Sequence, residues 1–457
     1  MGNRATRRDR LFLQELEIAP NTIFLAETKI MRVLHVVKNA GLGGAGIAAA
    51  RLVKGLINSG VDAQIACLTH TEDCEPFASN ITFGTSFFEK LWIGLRKFKL
   101  RSLTTQNYSL KSGEEAFQSD LSCYGMALNR TLNEFDIIHL HWVADFFDFR
   151  YNLGQIDSKI PIFWTLHDMN PFTAGCSYAL DCRQFETICN HCRILPKSLS
   201  QEASLTWHRK SKAFRHLKSQ LEFIAPSKWI ALEAQKSSLC GSFPVHIIAN
   251  SINTDIFKPY NQQNFKLKYG LSPSNPACLF LAANAFDPRK GMKCFVEAVN
   301  LVLNKVPELQ IVCLGNIPVD IQKTCPSIIC IAPESNETTL SQIYGLADFL
   351  VVPSFMDNLP NIIAESFACG VPVVSFPVGG IPEMVVDGET GILAQEKTSS
   401  GLAAAMLRII NLSTSEKSQL RHNARAFAVK NYSIDAQTLK FISLYESVLK
   451  TADSTQN

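Results

Sequence analysis

The chain predicts an α/β protein of two domains, each built on parallel strands. Three observations carry this expectation. Apolar runs such as 32–37, 161–166 and 349–352 are too short for helices and end in turn residues, the pattern of strands buried on both faces. Helix-patterned segments lie between them. The alternation stops in the polar, Pro-terminated stretch Asn250–Pro259 and begins afresh at Cys278. A chain of 457 residues gives two domains of ordinary size, each with its own core.

Composition narrows the functional classes. Charged residues make up 19% and hydrophobic residues 46%, which is a globular rather than a disordered balance. A net charge of +3 makes no case for nucleic acid. No apolar run reaches the roughly 18 residues of a membrane span. The opening residues are too polar for a secretory leader. Of the 14 cysteines, Cys67, Cys278, Cys313 and Cys330 sit in or at the end of strand-like runs, as small hydrophobes do. These features together predict a reducing, cytoplasmic setting. Residues 1–30 read either as an extension or as sequence preceding a start at Met31; the first six residues match the myristoylation pattern.

In the first half, the strand at 32–37 leads into Gly41, Gly43, Gly44 and Gly46 and then a helix expected over Ile47–Asn58. The G-x-G-x-x-G spacing admits a dinucleotide site, a tight turn with packing glycines, or a loop facing a reaction centre. The following strand, 62–68, ends in Thr69-His70 and lacks the acidic residue that would hold a ribose. Segment 86–101 spaces Phe87, Phe88, Leu91, Trp92, Leu95 and Phe98 helically, with Lys90, Arg96, Lys97, Lys99 and Arg101 between them. It reads as a core helix with a solvated face or as a helix on an anionic membrane surface. Alternation puts His139 and His141 on one side of the strand at 135–141, and the strand at 161–166 ends in His167-Asp168. Ligands of open α/β sheets bind at such carboxyl ends. Cys176, Cys182, Cys189 and Cys192 lie within 17 residues of polar loop. They admit a structural zinc knuckle, a redox-labile pair or free thiols.

In the second half, a strand from Cys278 precedes Arg289-Lys290-Gly291 and a helix through Ala298. The strand at 349–352 precedes Ser354–Asn358 and a helix to Cys369, with Pro360 in its first turn, Asp357 or Asn358 as its cap and Gly370 as its stop. Asp357 and Glu365 then sit at a strand-to-helix switch beside the amides of Leu359, Asn361 and Ile362. A helix start binds phosphate, and two carboxylates beside it hold hydroxyls, so the stretch suits a nucleotide-sugar. A final helix over about 434–450 gathers Phe441, Ile442, Tyr445 and Leu449 on one face.

Taken in order, these pieces resemble the family-4 (group 1) retaining glycosyltransferases of the GT-B fold. The resemblance rests on the Gly-rich loop 41–46, His167-Asp168, Ala225-Pro226-Ser227, the 250–259 linker, Arg289-Lys290-Gly291, Asp357-x7-Glu365, residues 368–374 and Gly379-Gly380-x-x-Glu383. It implies two Rossmann-like domains facing across a cleft: 31–245 for the acceptor and 246–433 for the donor, with 434–450 crossing back to the first. It implies transfer with retained configuration and no catalytic metal. Glu365 resembles the glutamate that holds the donor ribose, and Asp357 takes the place of the residue contacting the donor sugar. Lys290, helped by Arg289, matches the cation on the diphosphate. Gly43 and Gly44 would let amides approach phosphate, with Asn358, Leu359 and Asn361 lining the same space. His167 matches the histidine near the transferred sugar. A lipid-linked saccharide on the way to a surface polysaccharide is the expected acceptor, with segment 86–101 touching the membrane. A nucleotide-sugar 2-epimerase and a non-catalytic nucleotide-sugar-binding protein are alternatives on the same fold. Two positions depart from the pattern. Asp357 is one methylene shorter than the usual glutamate, and Asn284 and Ala285 stand where the family has an arginine.

Overall fold

The computed structural model describes residues 30–80, 87–100, 117–282, 287–318, 321 and 327–454. The expected extension before residue 30, and Asn284 and Ala285, lie outside them. The chain divides into two compact units, one up to Ala249 and again from Gln437, the other Asn250–Ala436.

The first unit carries β1 (Arg32–Val36), β2 (Asn39–Ala40), β3 (Asp62–Cys67), β4 (Thr69–His70), β5 (Ala78–Asn80), β6 (Ile137–Leu140), β7 (Ile162–Thr165), β8 (Leu221–Ala225) and β9 (Val245–Ile247). Seven of these form one parallel sheet in the order β5-β3-β1-β6-β7-β8-β9, and β2 pairs with β4. The order reverses between β1 and β6, so the connections leave in opposite directions and open a crevice at their carboxyl ends. Register pairs His35 with His139 across that switch.

Apolar side chains on one face of this sheet, among them Val33, Ile65, Ile137, Phe163 and Ile224, pack with Phe441, Leu444 and Tyr445 of the last helix, Ile434–Ser454. The helix thus starts in the second unit and belongs to the first from Gln437 onward. Tyr445 is fully buried, and its hydroxyl meets His139 Nδ1 at 2.6 Å. His139 Nε2 meets Thr165 Oγ1 at 2.7 Å, so both nitrogens of this interior histidine are satisfied.

The second unit carries β10 (Ala277–Ala282), β11 (Gln310–Gly315), β12 (Ile328–Ile331), β13 (Phe349–Val352), β14 (Val373–Ser375) and β15 (Gly391–Leu393), a six-stranded parallel sheet in the order β12-β11-β10-β13-β14-β15. Relative to its first strand this is the 3-2-1-4-5-6 order of a Rossmann sheet. Its switch lies between β10 and β13, the strands that precede Arg289-Lys290 and Ser354–Asn358. Among the described residues, no helix is long and apolar enough to cross a membrane.

Two local expectations need correction. The first long helix spans Gly43–Asn58 and takes in the glycines expected to precede it. Glycine's poor helix propensity is overridden here because Gly46 lies against the Asn39 carbonyl, where a Cβ would stand 2.0 Å from the oxygen. The helix Asn361–Ala368 has Pro360 at its N-cap with no side-chain cap, so neither Asp357 nor Asn358 caps it. Its far end is as expected: Gly370 adopts φ 69° and Val371 N–H donates back to the Ser366 carbonyl at 2.8 Å.

Substituting Tyr445→Phe keeps the ring but leaves buried His139 Nδ1 without its partner. The expected loss is about 1–3 kcal/mol of stability, read as a lower urea midpoint for the full chain; an unchanged midpoint would show that the bond contributes nothing.

Candidate functional site

The site candidates fall into two clusters, one in each unit. The cluster of the second unit stands at the switch point of its sheet. After β10 the chain makes a tight turn over Pro288–Lys290, and Gly291 leaves it at φ 73°. A Cβ on Gly291 would meet the Pro353 carbonyl oxygen at 2.0 Å, so only glycine lets this turn lie on the loop after β13. Phe355 N–H closes the contact by donating to the Arg289 carbonyl at 2.8 Å.

This approach brings the cations to Asp357. Lys290 Nζ lies 2.6 Å from Asp357 Oδ2, and Arg289 Nη1 lies 3.6 Å from Oδ1. The Ser354 hydroxyl donates to Oδ2 at 3.2 Å and the Asn358 amide to Oδ1 at 3.2 Å. Burial pushes the Asp357 carboxyl upward, but the charges of Lys290 and Arg289 outweigh it and hold the group below its usual range. Arg289 does not face solvent. Its guanidinium donates to the Met356 carbonyl at 2.9 Å and to Asp287 Oδ2 at 3.0 Å. A third segment completes the junction: a Cβ on Gly379 (φ 56°) would stand 1.8 Å from the Asp357 carbonyl oxygen, which accepts from Gly380 N–H at 3.2 Å.

Glu365 is buried about one turn into the helix that follows, where it accepts from the Tyr344 hydroxyl at 2.8 Å. Asn361 opens that helix and accepts from the Asn250 side chain at 3.0 Å. Asn358 and Leu359 are buried just before it. The structure thus gathers Arg289, Lys290, Asp357 and Asn358 into one bonded cluster. A buried glutamate lies on the adjoining helix, whose first-turn amides point out along the axis toward the loop.

The first unit holds the histidines. His141 N–H and C=O groups tie it to the sheet, with Trp164 Nε1 donating to its carbonyl at 3.0 Å. His141 Nδ1 lies 3.0 Å from His167 Nε2, and His141 Nε2 lies 2.9 Å from His35 Nδ1. His141, Trp142, Trp164, His167 and Asp168 line a small pocket at the carboxyl ends of β6 and β7. Asp168 accepts from Trp142 Nε1 at 3.0 Å and from the Asn170 amide at 2.9 Å; burial raises its pKa, and these bonds pull against that rise. Burial holds His35 and His167 down to about 3, and it lowers His139 and His141 as well, helped by the neighbouring imidazoles. All four stay neutral near pH 7. His35 and Thr165 were not among the sequence candidates. The available signal was register, since a histidine near the end of β1 must adjoin the end of β6.

The glycine loop divides into two roles. Gly41 and Gly46 are packing residues, each with a neighbour closer than a Cβ allows. Gly43 (φ 67°) and Gly44 are exposed at the helix start, and a Cβ on either would meet nothing within 4 Å. Cys176, Cys182, Cys189 and Cys192 form no disulfide. Burial pushes Cys176 up to about 12 and raises Cys189 and Cys192, and the neighbouring Cys182 adds to the rise at all three. Among the described residues, the group whose potential metal-ligating atoms draw together is instead His35, His139 and His141, within 4.8 Å of one another.

Comparison with known proteins adds family likeness to this geometry. Residues 275–411 match the family model described as group 1 glycosyl transferases. A D-inositol 3-phosphate glycosyltransferase of Mycobacterium marinum is 22% identical over 217 residues, 45% of this chain and 45% of that protein. The chain spans about half the length of the curated relatives it matches. Among solved structures, a glycosyltransferase from Rickettsia africae superposes with a TM-score of 0.62 at 16% identity, covering 93% of this chain and all of that one, 100%. Anabaena HepE, solved with UDP and glucose, gives 0.59 at 14% identity, covering 91% and 100%. These structures share the GT-B fold expected from the motifs.

The histidines give the molecule a pH signature. A base whose folded pKa is depressed is neutral in the fold but takes up a proton on unfolding below about 6.5. Stability is therefore full above pH 6.5 and falls as pH drops toward 3, by up to about 1.4 kcal/mol per pH unit for each such histidine. Urea unfolding between pH 7 and pH 5, before carboxylates titrate, should show a steadily falling midpoint; a flat midpoint would mean the histidines are not held neutral.

Proposed function

Residues 275–411 match the group 1 glycosyl transferases, and on that premise we propose that this chain is a retaining glycosyltransferase that moves a sugar from a nucleotide-sugar to a lipid-linked saccharide in cell-surface polysaccharide synthesis. The observation that carries the donor reading is the Arg289–Lys290–Asp357 cluster at the opening of the Asn361–Ala368 helix. A departing nucleoside diphosphate gathers negative charge as the sugar bond breaks. Fixed cations and helix-end amides aimed at that charge lower the barrier because they need no reorganisation at the moment of reaction.

In this reading Asp357 holds Lys290 and Arg289 in place and reaches the donor sugar with its short side chain. Glu365, fixed by Tyr344, takes the ribose hydroxyls. Gly43 and Gly44 bring amides near phosphate, and Asn358, Leu359 and Asn361 line the donor position. His167 stands near the transferred sugar as a neutral hydrogen-bonding group, since an oxocarbenium-like centre needs oriented dipoles more than a strong nucleophile.

The acceptor reading rests on the helix Phe87–Leu100. Its inner side is anchored: Arg96 donates to the Ser122 carbonyl at 3.2 Å and pairs with Asp148, Trp92 packs 6.2 Å from Tyr151 between ring centres, and Leu100 is buried. Its opposite side is an apolar stripe open to solvent, with Phe88 80%, Leu91 50%, Leu95 64% and Phe98 80% exposed. A helix whose apolar side packed on the domain would bury these residues. Lys90 is exposed on the same helix, a cation that complements anionic headgroups. An anionic bilayer at the cytoplasmic face is the occupant proposed for it.

Incubation with a donor panel starting from UDP-glucose, followed by mass spectrometry of lipid-linked products, tests the function. Transfer or slow release of nucleoside diphosphate supports it; sugar interconversion without release points to an epimerase, and tight binding with neither to a binding protein. Glu365→Ala should raise the donor KM, because ribose contact precedes and accompanies reaction, whereas Lys290→Ala and His167→Ala should depress kcat. An active His167→Ala enzyme with normal kcat removes that residue from the site. For the membrane face, replacing Phe88 and Phe98 by serine should cut sedimentation with phosphatidylglycerol vesicles about tenfold or more, since each buried aromatic contributes on the order of 1.5–3 kcal/mol. Unchanged sedimentation, or self-association in place of vesicle binding, would overturn it.

A further inference from the structure

The first sheet has its own switch point, and the transfer chemistry described above does not use the residues that wall its crevice. β1 and β6 lie side by side where the strand order reverses, and ligands of open α/β sheets settle in such a crevice at the carboxyl ends. Lys38 follows β1 by two residues, and Trp142 and Asp145 follow β6. The two loops are joined: the Lys38 amide donates to the Trp142 carbonyl at 2.9 Å. The Lys38 ammonium lies 5.3 Å from the centre of a Trp142 ring and 3.4 Å from Asp145 Oδ2. Trp142 is itself fixed, since its Nε1 donates to Asp168 Oδ2 at 3.0 Å, and it lines the same small pocket as His167.

Several features set Asp145 apart from an ordinary surface ion pair. Its backbone is left-handed at φ 59°, a conformation that glycine adopts freely and a residue with a Cβ adopts at a cost. The Ser122 hydroxyl donates to its carbonyl at 3.2 Å, so the conformation is anchored. Its Oδ1 is buried with no hydrogen-bond partner among the described residues. Its 3.4 Å contact with Lys38 is long for an ammonium–carboxylate bond, which closes to about 2.7–2.9 Å when both partners are committed. Each of the two side chains is 25% exposed, held by the fold yet open on one side. The pair thus keeps unused capacity. An ammonium has three donors, and rotation about the last bond of an aspartate presents either oxygen.

We propose that Lys38 and Asp145, framed by Trp142, bind two neighbouring hydroxyl groups of an uncharged sugar in the acceptor. Charge decides between a neutral ligand and an anionic one. The pair carries no net charge, so a phosphate drawn to Lys38 would meet the Asp145 carboxylate at the same place. A sugar diol uses both partners: one hydroxyl donates to the carboxylate, and its neighbour accepts from the ammonium. A residue kept in a costly backbone conformation is held where its side chain is needed, which fits a carboxylate that must meet a ligand at a fixed point. Naming the sugar as the acceptor of transfer rests on the glycosyltransferase reading above; its binding at these residues does not.

The test is saturation-transfer NMR of the full chain, without donor, against the methyl glycosides of glucose, galactose, mannose and N-acetylglucosamine and against glucose 1-phosphate. At least one neutral glycoside should bind the wild type. Asp145→Gly and Lys38→Met should each weaken that binding about tenfold or more, the worth of a hydrogen bond to a charged group. Asp145→Gly is the informative variant because glycine relieves the backbone. Its urea midpoint should equal or exceed that of the wild type, so lost binding is not lost folding. The proposal is overturned if the wild type binds no neutral glycoside, or if both variants bind as the wild type does. It is equally overturned by tighter binding of glucose 1-phosphate than of every neutral glycoside, or by a lower midpoint for Asp145→Gly. Glycoside binding through these residues with no transfer from any donor would sink the glycosyltransferase reading and leave the subsite standing. Transfer with an acceptor KM unmoved by Asp145→Gly would do the reverse.

Discussion

The second unit of this molecule depends on backbone segments approaching more closely than any side chain would allow. The turn carrying Arg289 and Lys290 lies on the Pro353 carbonyl, and the turn at Gly379 lies on the Asp357 carbonyl, with less room at each than a single methyl group occupies. Glycine at both contacts is the condition for everything else there. Once the three segments touch, two cations and a carboxylate share a space of a few ångströms, and the helix with Glu365 starts beside them. Sheet topology explains why these segments meet at all. They leave β10, β13 and β14, three neighbouring strands that include the pair where the strand order reverses.

The first unit solves a similar topological problem with different chemistry. Its reversal lies between β1 and β6, and what gathers there is neutral polarity rather than charge. Four imidazoles in contact cannot all be protonated without large mutual repulsion, and burial adds to that cost. The result is a hydrogen-bonded chain of His35, His141 and His167 with no net charge, and His139 packs beside it, bonded to Thr165 and Tyr445. A cation-rich cluster suits phosphate, and an uncharged array suits sugar hydroxyls.

Much of this was legible in the sequence because it is carried by local pattern. Short apolar runs marked the strands, the restart at Cys278 marked the second sheet, and ordered motifs named Lys290, Asp357, Glu365 and His167. What was not legible depends on distance in space. Asp357 looked like a helix cap because capping is read from adjacency; its carboxylate is engaged by Lys290 and Arg289, which lie some 67 residues away along the chain. His35 looked like an ordinary strand residue, since nothing local says which strand will lie beside it. The helix Phe87–Leu100 has the same composition whichever way it is rolled, and only its contacts with Ser122, Asp148 and Tyr151 show that four of its apolar residues turn outward.

The last helix ties the first unit to the end of the chain, and this orders events during synthesis. Tyr445 lies 306 residues after its partner His139. At about 5–20 residues per second, a ribosome needs about 15–60 s to cover that gap. Throughout that interval the strands of the first unit can pair, but the sheet face that receives Phe441, Leu444 and Tyr445 stays uncovered. The second unit, Asn250–Ala436, is made without interruption and can close as soon as it emerges. The half synthesised first is therefore the half completed last, and its waiting apolar face is where a chaperone would find this nascent chain.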